Sequence, residues 1–293
     1  MQPGTPLDTD IRDAYLARLG FDAVPPPTAE TLIAVHRAQV ERVPYETLWI
    51  ALGERRGIDL LESARIIASG RAVGGYCYHL NGAFSVLLEW LGFDVHRHFG
   101  GVRPRPSAAV PDPPIGWGNH LAMTVALDGR SWMVDAGLGD AIHEPIPLVE
   151  GDVTQGPFTF HVRPSTAEPG GWRFDHHAAG SFQSCDIRPG PVTEGEFMER
   201  HTFLSTSPES GFVRVVTAQR RDATGVDALR GKVLTRQGAG PDSTRELATE
   251  AEWREVLAEV FGMPLMHVES TALSTLWARI CADHEAFLAR SDP

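Results

Sequence analysis

The chain predicts an α+β fold, and three observations carry that reading. Helical periodicity dominates residues 8–91, apolar and polar residues alternate with hairpin signals from Phe93 onward, and helical patterns return between Glu246 and Ala289. With 293 residues the chain is long enough for two or three lobes around a substantial core. No internal repeat or low-complexity tail interrupts this order.

Each element has its local reason. Residues 8–20 form a capped amphipathic helix with Ile11, Tyr15, Leu16 and Leu19 on one face. Pro25-Pro26-Pro27 stops the chain, and Thr28 restarts a helix that runs to about Glu41. Pro44 breaks it by pushing Val43 out of the helical region. A short helix at 59–70 precedes Gly74-Gly75, and the apolar run Ala83–Leu91 is helical until Gly92. Phe93–Phe99 alternates as a strand, followed by a proline-dense loop from Pro104 to Pro114. His120–Leu127 and Ser131–Asp135 read as two strands of a hairpin turned by Asp128-Gly129. Further strands are expected at 158–162, 172–174, 182–184, 213–219 and 232–235, with helices at 246–261 and 270–289.

Composition bounds the function. Net charge is −12, so no basic face could dominate and no nucleic-acid partner is expected. No stretch approaches the roughly 18 apolar residues of a membrane span. The N-terminus, Met1-Gln2-Pro3-Gly4, shows neither a basic nor an apolar signal region, and the expected location is cytoplasmic. The cysteines, Cys77, Cys185 and Cys281, are three and far apart, which suits neither a zinc site nor a disulfide framework. No metal is expected. His96 and His98 alternate on one strand without a third ligand, His176-His177 read as surface residues, and Cys185 and Cys281 read as structural.

The chemistry concentrates at Gly74-Gly75-Tyr76-Cys77-Tyr78-His79-Leu80-Asn81-Gly82. Two glycines allow a tight turn, and a cysteine at the mouth of a helix sits where free N–H groups favour a thiolate. An isolated cysteine is more often a small buried hydrophobe. The hairpin changes that balance. His120 opens one of its strands and Asp135 closes the other, so the two ends lie side by side and offer a base and its orienting carboxylate. Cys77, His120 and Asp135 are therefore a candidate Cys-His-Asp triad.

These residues carry a family resemblance. Gly-Gly-Tyr-Cys-Tyr-His-Leu-Asn-Gly at 74–82, Gly-Asn-His-Leu at 118–121 and Val-Asp-Ala-Gly-Leu-Gly-Asp at 134–140 resemble the arylamine N-acetyltransferases in motif and order. Val-Pro-Tyr-Glu-Thr-Leu at 43–48, Ser-Thr-Ser-Pro-Glu-Ser-Gly-Phe at 205–212 and the Gln219-Arg220-Arg221 strand end agree with it. The resemblance implies a papain-like cysteine-transferase architecture: an N-terminal helical bundle carrying the nucleophile (1–92), a central β-barrel with the histidine and aspartate (93–204), and a C-terminal α/β lid (205–293). It also implies a ping-pong reaction in which Cys77 takes an acetyl group from acetyl-CoA as a thioester and passes it to a small aromatic amine. By the same resemblance Tyr45, Leu138 and Phe212 line the acceptor pocket. No cofactor is permanently bound, acetyl-CoA being a co-substrate, no membrane is involved, and a homodimer is the candidate assembly. No Walker or Rossmann loop is present, so CoA would lie in an open cleft, with the Pro104–Pro114 loop as a wall.

The chain also departs from the family. Its arginine before Gly-Gly is Val73 and its glutamate two after the cysteine is His79. Losing both members of a charge pair strands no buried charge, so the change reads as compensated. His79 is a second candidate base, expected instead to point along the helix start. Leu138 stands for an aromatic residue and Tyr45 for a phenylalanine, both of which reshape the amine pocket. The alternative activity is an amide synthase of the same fold that releases a carrier-bound polyketide or peptidyl chain as an amide or lactam. A cysteine protease or transglutaminase-like hydrolase shares the triad order without the Asn81-Gly82 and Asp135-x-Gly features. A non-catalytic homologue would be expected to have lost a triad member.

Overall fold

The structure, a computed structural model, describes residues 7–108 and 110–291. The signal-region reading at Met1–Gly4 lies outside the described residues.

The chain begins with helices whose ends match the sequence signals. Asp8 caps α1 (Thr9–Leu19) by accepting from the Ile11 N–H, and Gly20 closes it in the left-handed region. Thr28 caps α2 (Ala29–Arg42) in the same way. Pro44 ends it, and the chain passes through β1 (Tyr45–Glu46), α3 (Leu48–Ala51) and α4 (Leu60–Ala68). Next comes α5 (Cys77–Trp90), which is buried at every position except Glu89. A helix apolar all round belongs in the interior, and α5 packs against α4 on one side and sheet on the other. Tyr15, Leu32, Val35, Phe84, Leu87 and Leu88 form the centre of this first core.

An eight-stranded antiparallel sheet follows: β2 (Asp94–Pro104), β3 (Gly116–Leu127), β4 (Arg130–Val134), β5 (Ile146–Pro147), β6 (Gly151–Gln155), β7 (Phe158–Pro164), β8 (Trp172–Asp175) and β9 (Phe182–Ile187). Its order is β5-β4-β3-β2-β9-β8-β7-β6. The edge strands β5 and β6 are consecutive in sequence, so the short link between them draws the edges together into a nearly closed barrel. Phe158, Phe160, Phe174 and Phe182 fill its interior. The Asp128-Gly129 turn has φ of 52° and 70°, the two positive values that a two-residue hairpin turn requires.

The remaining chain departs more from its pattern. Residues 198–206 form α6 (Met198–Thr206), preceded by a 3-10 turn, and Gly211–Arg214 forms α7 instead of opening a strand. Only His201 and Leu204 of α6 are buried, so its sequence shows no apolar stripe. The strand expected at 213–219 is β10 (Thr217–Asp222). It pairs with β11 (Gly225–Arg230), followed by β12 (Val233–Gly238) and β13 (Ser243–Glu246). β11 and β13 escape pattern reading: β13 is exposed throughout, so it carries no alternation. Two helices, α8 (Glu250–Glu259) and α9 (Ser270–Ser291), close the chain, the former with a Thr249/Glu252 capping box.

β1 joins this second sheet at its edge, in the order β1-β10-β11-β12-β13. The segment at 45–46 therefore belongs to the C-terminal sheet as well as to the helical region. Glu46 N–H also donates to the Gly75 carbonyl at 2.8 Å, which ties the glycine turn to that sheet. A Cβ at Gly74 would stand 1.8 Å from the Pro44 carbonyl oxygen, so no side chain fits there. Gly74→Ala should cost about 3 kcal/mol by overpacking; a urea midpoint within error of the parent would contradict this.

Candidate active site

Cys77 is the first residue of α5, after an N-cap, Tyr76, that makes no side-chain capping bond. The N–H groups of a first helical turn lack intrahelical acceptors, so they surround Cys77 with partial positive charge. The turn after β4 lies directly on it: a Cβ at Gly137 would come within 2.7 Å of Cys77 Cα.

His120 and Asp135 meet, though not by the route their spacing suggests. β3 begins at Gly116, so His120 lies inside the strand, beside the register shift between Gly100 and Gly101 of β2. Asp135 lies just beyond β4, whose last residue Val134 pairs with Met123. The two residues are not opposite one another on the ladder. Their side chains converge because the bulge re-aims one and the turn carries the other. His120 Nε2 is 2.6 Å from Asp135 Oδ2. The other ring nitrogen is left free of Asp135, and Cys77 favours the charged form of the ring. The thiol also lies 3.7 Å from the Asn119 carbonyl. Burial by itself disfavours a charged imidazole, but the Asp135 charge and hydrogen bond, with Cys77 adding to them, outweigh it and raise His120 to about 10.

Asn81, one helical turn after Cys77, holds the carboxylate in place. Its Nδ2 donates to Asp135 Oδ1 at 2.9 Å and to the Leu121 carbonyl at 2.7 Å, and its Oδ1 accepts from the Ala136 N–H at 2.8 Å. The Gly137 N–H donates to Asp135 Oδ1 at 2.9 Å. One amide thus joins α5, β3 and the turn after β4. The sequence hint was a polar residue inside an otherwise apolar helix, four positions from the cysteine.

Tyr45, Leu138 and Asp135 line one small cavity with Gly139 and Gln219. Phe212 packs edge-on to Tyr45 at 6.3 Å and lies 5.4 Å from the Tyr76 ring. Cys77 is 4 % exposed beneath this aromatic cover. Every residue singled out in the sequence for triad or pocket is therefore within this one region of the molecule.

The N-acetyltransferase family model matches residues 28–270 of the chain. The chain belongs to the arylamine N-acetyltransferase family. It is 27% identical to human arylamine N-acetyltransferase 1 over 282 residues, covering 86% of this chain and 94% of the relative. To the Mycolicibacterium smegmatis arylamine N-acetyltransferase it is 29% identical over 271 residues, covering 86% and 91%. Among solved structures, the arylamine N-acetyltransferase of Mycobacterium abscessus superposes with a TM-score of 0.77 at 27% identity, over 94% of this chain and 99% of its own. That of Nocardia farcinica gives 0.76 at 29% identity, over 91% and 93%. The protein is thus an enzyme of the acetyltransferase class with the α+β fold of that family.

Two positions beside Cys77, 73 and 79, depart from the family pattern. Val73 is buried, and His79 turns away from Cys77 to donate from Nε2 to the Gly57 carbonyl at 3.0 Å. Burial first, then Arg56 and His201, push His79 down to about 3, so it stays neutral. A buried cation nonetheless remains, supplied from position 56. Arg56 Nη1 donates to the Gly74 carbonyl at 3.1 Å and to Glu46 Oε1 at 3.4 Å, and its Nε donates to Glu54 Oε2 at 3.1 Å. Glu46 in turn accepts from the Leu48 N–H at 2.7 Å. The two charges expected to be lost at 73 and 79 are absent, yet a buried cation still holds the glycine turn, hidden in the sequence because Arg56 lies 18 residues before the glycine it holds.

The other candidates separate by environment. His98 is buried against Thr124 Oγ1 and the Gly190 carbonyl while His96 pairs with Asp94, so they share no common site. No cluster of three metal-ligating side chains occurs among the described residues. His176 is not on the surface: its ring is buried among Phe160, Phe174 and Phe182, 3.3 Å from Asp140. Cys185 is buried in the barrel, where burial pushes its thiol well up, and Cys281 is half-buried on α9.

Two outcomes follow from these charges. Arg56→Met strands the buried Glu46 carboxylate and should cost about 3–5 kcal/mol, whereas Arg56→Met with Glu46→Gln should recover part of that loss in chemical denaturation. Because His120 is raised from 6.5 to about 10, its contribution to stability is full below pH 6.5 and is lost as pH rises through about 10. The urea midpoint should fall across that window, and His120→Gln should lack that component of the fall.

Proposed function

We propose that this enzyme transfers an acetyl group from acetyl-CoA to an arylamine or related amine through a thioester on Cys77. The observation that supports it is the buried His120–Asp135 pair at 2.6 Å, with Cys77 at the start of α5 acting on the same imidazole. A solved Mycobacterium marinum relative is in complex with CoA, and the named relatives are arylamine N-acetyltransferases.

An imidazole that keeps its proton to about pH 10 is a proton holder at neutral pH. Cys77 then enters the reaction as the thiolate, paired with the imidazolium. Sγ attacks the thioester carbonyl, the C–S bond to CoA breaks, and the departing thiolate takes the His120 proton. Exchange between two thioesters is nearly balanced in energy. In the second half the amine nitrogen attacks the acetyl carbonyl, gives its proton to His120, and expels the Cys77 thiolate, which restores the ion pair. Amide formation drives this half. The unpaired N–H groups at the start of α5 can receive the developing oxyanion. Asp135 keeps the imidazole tautomer and stabilises its cation throughout.

Tyr45, Leu138 and Phe212 form the acceptor wall in this reading. Since Cys77 is almost covered, the acyl donor enters by displacing side chains of that wall. Leu138 gives a wall without a ring at that position, so acceptors are selected by shape and apolar contact more than by stacking.

Intact mass after incubation with acetyl-CoA alone should show one acetyl adduct, absent in Cys77→Ser and discharged by an arylamine. No adduct from acetyl-CoA, with one from a longer or carrier-bound acyl thioester, would replace this reading with the amide synthase.

A further inference from the structure

His36 on α2 is fully buried, and both of its ring nitrogens are engaged. Nδ1 lies 3.0 Å from the His143 carbonyl, and Nε2 lies 3.3 Å from the Asp135 N–H. A carbonyl only accepts and an amide N–H only donates. The ring is therefore the neutral tautomer protonated on Nδ1, donating to His143 and accepting from Asp135. These two partners are the two ends of the loop 135–143 that leaves β4 and carries the turn over Cys77. One imidazole thus spans the loop and sets the distance between its ends.

Neighbouring side chains of α2 hold the same loop. Arg37 Nε donates to Glu144 Oε1 at 2.8 Å, and Glu41 Oε1 is 2.6 Å from His143 Nε2. The groups that face the His36 ring are Asp135 and His143, with Glu41 beyond His143 and the Phe84 ring edge at 5.9 Å. Burial, only partly opposed by the two hydrogen bonds and the Asp135 charge, holds His36 down at about 4, so the ring remains an acceptor toward Asp135 through the neutral range.

We propose that His36 is a positioning residue for Asp135: its Nε2 lone pair fixes the Asp135 main chain so that the carboxylate stays on His120. Asn81 and the Gly137 N–H hold the carboxylate itself. Neither bonds the Asp135 N–H, and that is what His36 takes. The inference rests on the catalytic role assigned above to Cys77, His120 and Asp135. Removing the acceptor lets the start of the loop shift, lengthens the Asp135–His120 contact and weakens the ion pair. The upper inflection of the pH profile, where His120 loses its proton, then moves down toward 6.5.

The test compares the parent with His36→Leu and His36→Phe, neither of which can accept from the Asp135 N–H or donate to the His143 carbonyl, and with Arg37→Ala as a control on the same helix. Alkylation of Cys77 by iodoacetamide is followed against pH on folded protein. It needs no acyl donor or amine, so it reports on His36 even if the substrate assignment is wrong. The expected result is an upper inflection lowered by about one pH unit or more, a tenfold change in the proton equilibrium, in the His36 variants only. A parental profile in either folded variant would overturn the proposal, whatever that variant's stability. A measurement on the parent stands if neither variant folds: histidine ring 15N NMR should find His36 protonated on Nδ1 and bare on Nε2 at neutral pH, and a proton on Nε2 would end the idea.

Discussion

The Asp135 carboxylate is completely buried and, among the described residues, has no guanidinium or ammonium as a partner. A bare carboxylate in such a place costs several kcal/mol, enough to neutralise it or open the structure. Here the charge is met by the His120 imidazole, the Asn81 amide and the Gly137 N–H, each brought by a different part of the chain. β3, α5 and the turn beyond β4 must all be in register for that set to close. The arrangement that would make Cys77 reactive is thus also what keeps a buried charge tolerable, and stability and chemistry depend on the same three elements.

A second buried carboxylate, Glu46, does similar work on the other side of the glycine–cysteine turn. It caps the start of α3, meets Arg56, and lies on the short strand that joins the C-terminal sheet. Arg56 passes the link on to the Gly74 carbonyl. The glycine turn is therefore suspended between the C-terminal sheet and a buried cation, with no side chain of its own able to occupy the space. Val73 is buried as an apolar residue and His79 stays neutral against the Gly57 carbonyl, while Arg56 alone brings a cation to the turn.

Around these charges the aromatic cluster of Trp49, Tyr76, Tyr78 and His201 is packed ring on ring, with Trp49 and Tyr76 stacked at 5.7 Å. Tyr76 donates to His201 Nδ1 at 2.5 Å, and His201 Nε2 donates to the Arg56 carbonyl at 2.8 Å, so even this cluster is fastened to the segment that holds Gly74. Cys77 thus has a rigid floor beneath it and a thinner cover of Tyr45 and Phe212 above.

Local signals were enough for a good part of this. The Gly-Gly-x-Cys turn, the Asp128-Gly129 hairpin, the caps at Asp8 and Thr28 and the apolar run of α5 are written in adjacent residues, because turns, caps and helix burial depend on neighbours in sequence. Those signals named Cys77, His120 and Asp135 and the α+β class. What adjacency does not encode is how separate segments meet. β13 and α6 lack periodicity because they bury little, so no pattern could announce them. His176 reads as polar yet fills the barrel beside Asp140, and Arg56 and His36 look like ordinary charged or polar helix-and-loop residues. Their roles exist only where a carbonyl or N–H from 18 or 99 residues away needs a partner in the absence of water. Sequence alone determined which groups could do the chemistry; the tertiary structure decided what holds them, since a buried polar group is assigned its partner by the fold and not by its neighbours.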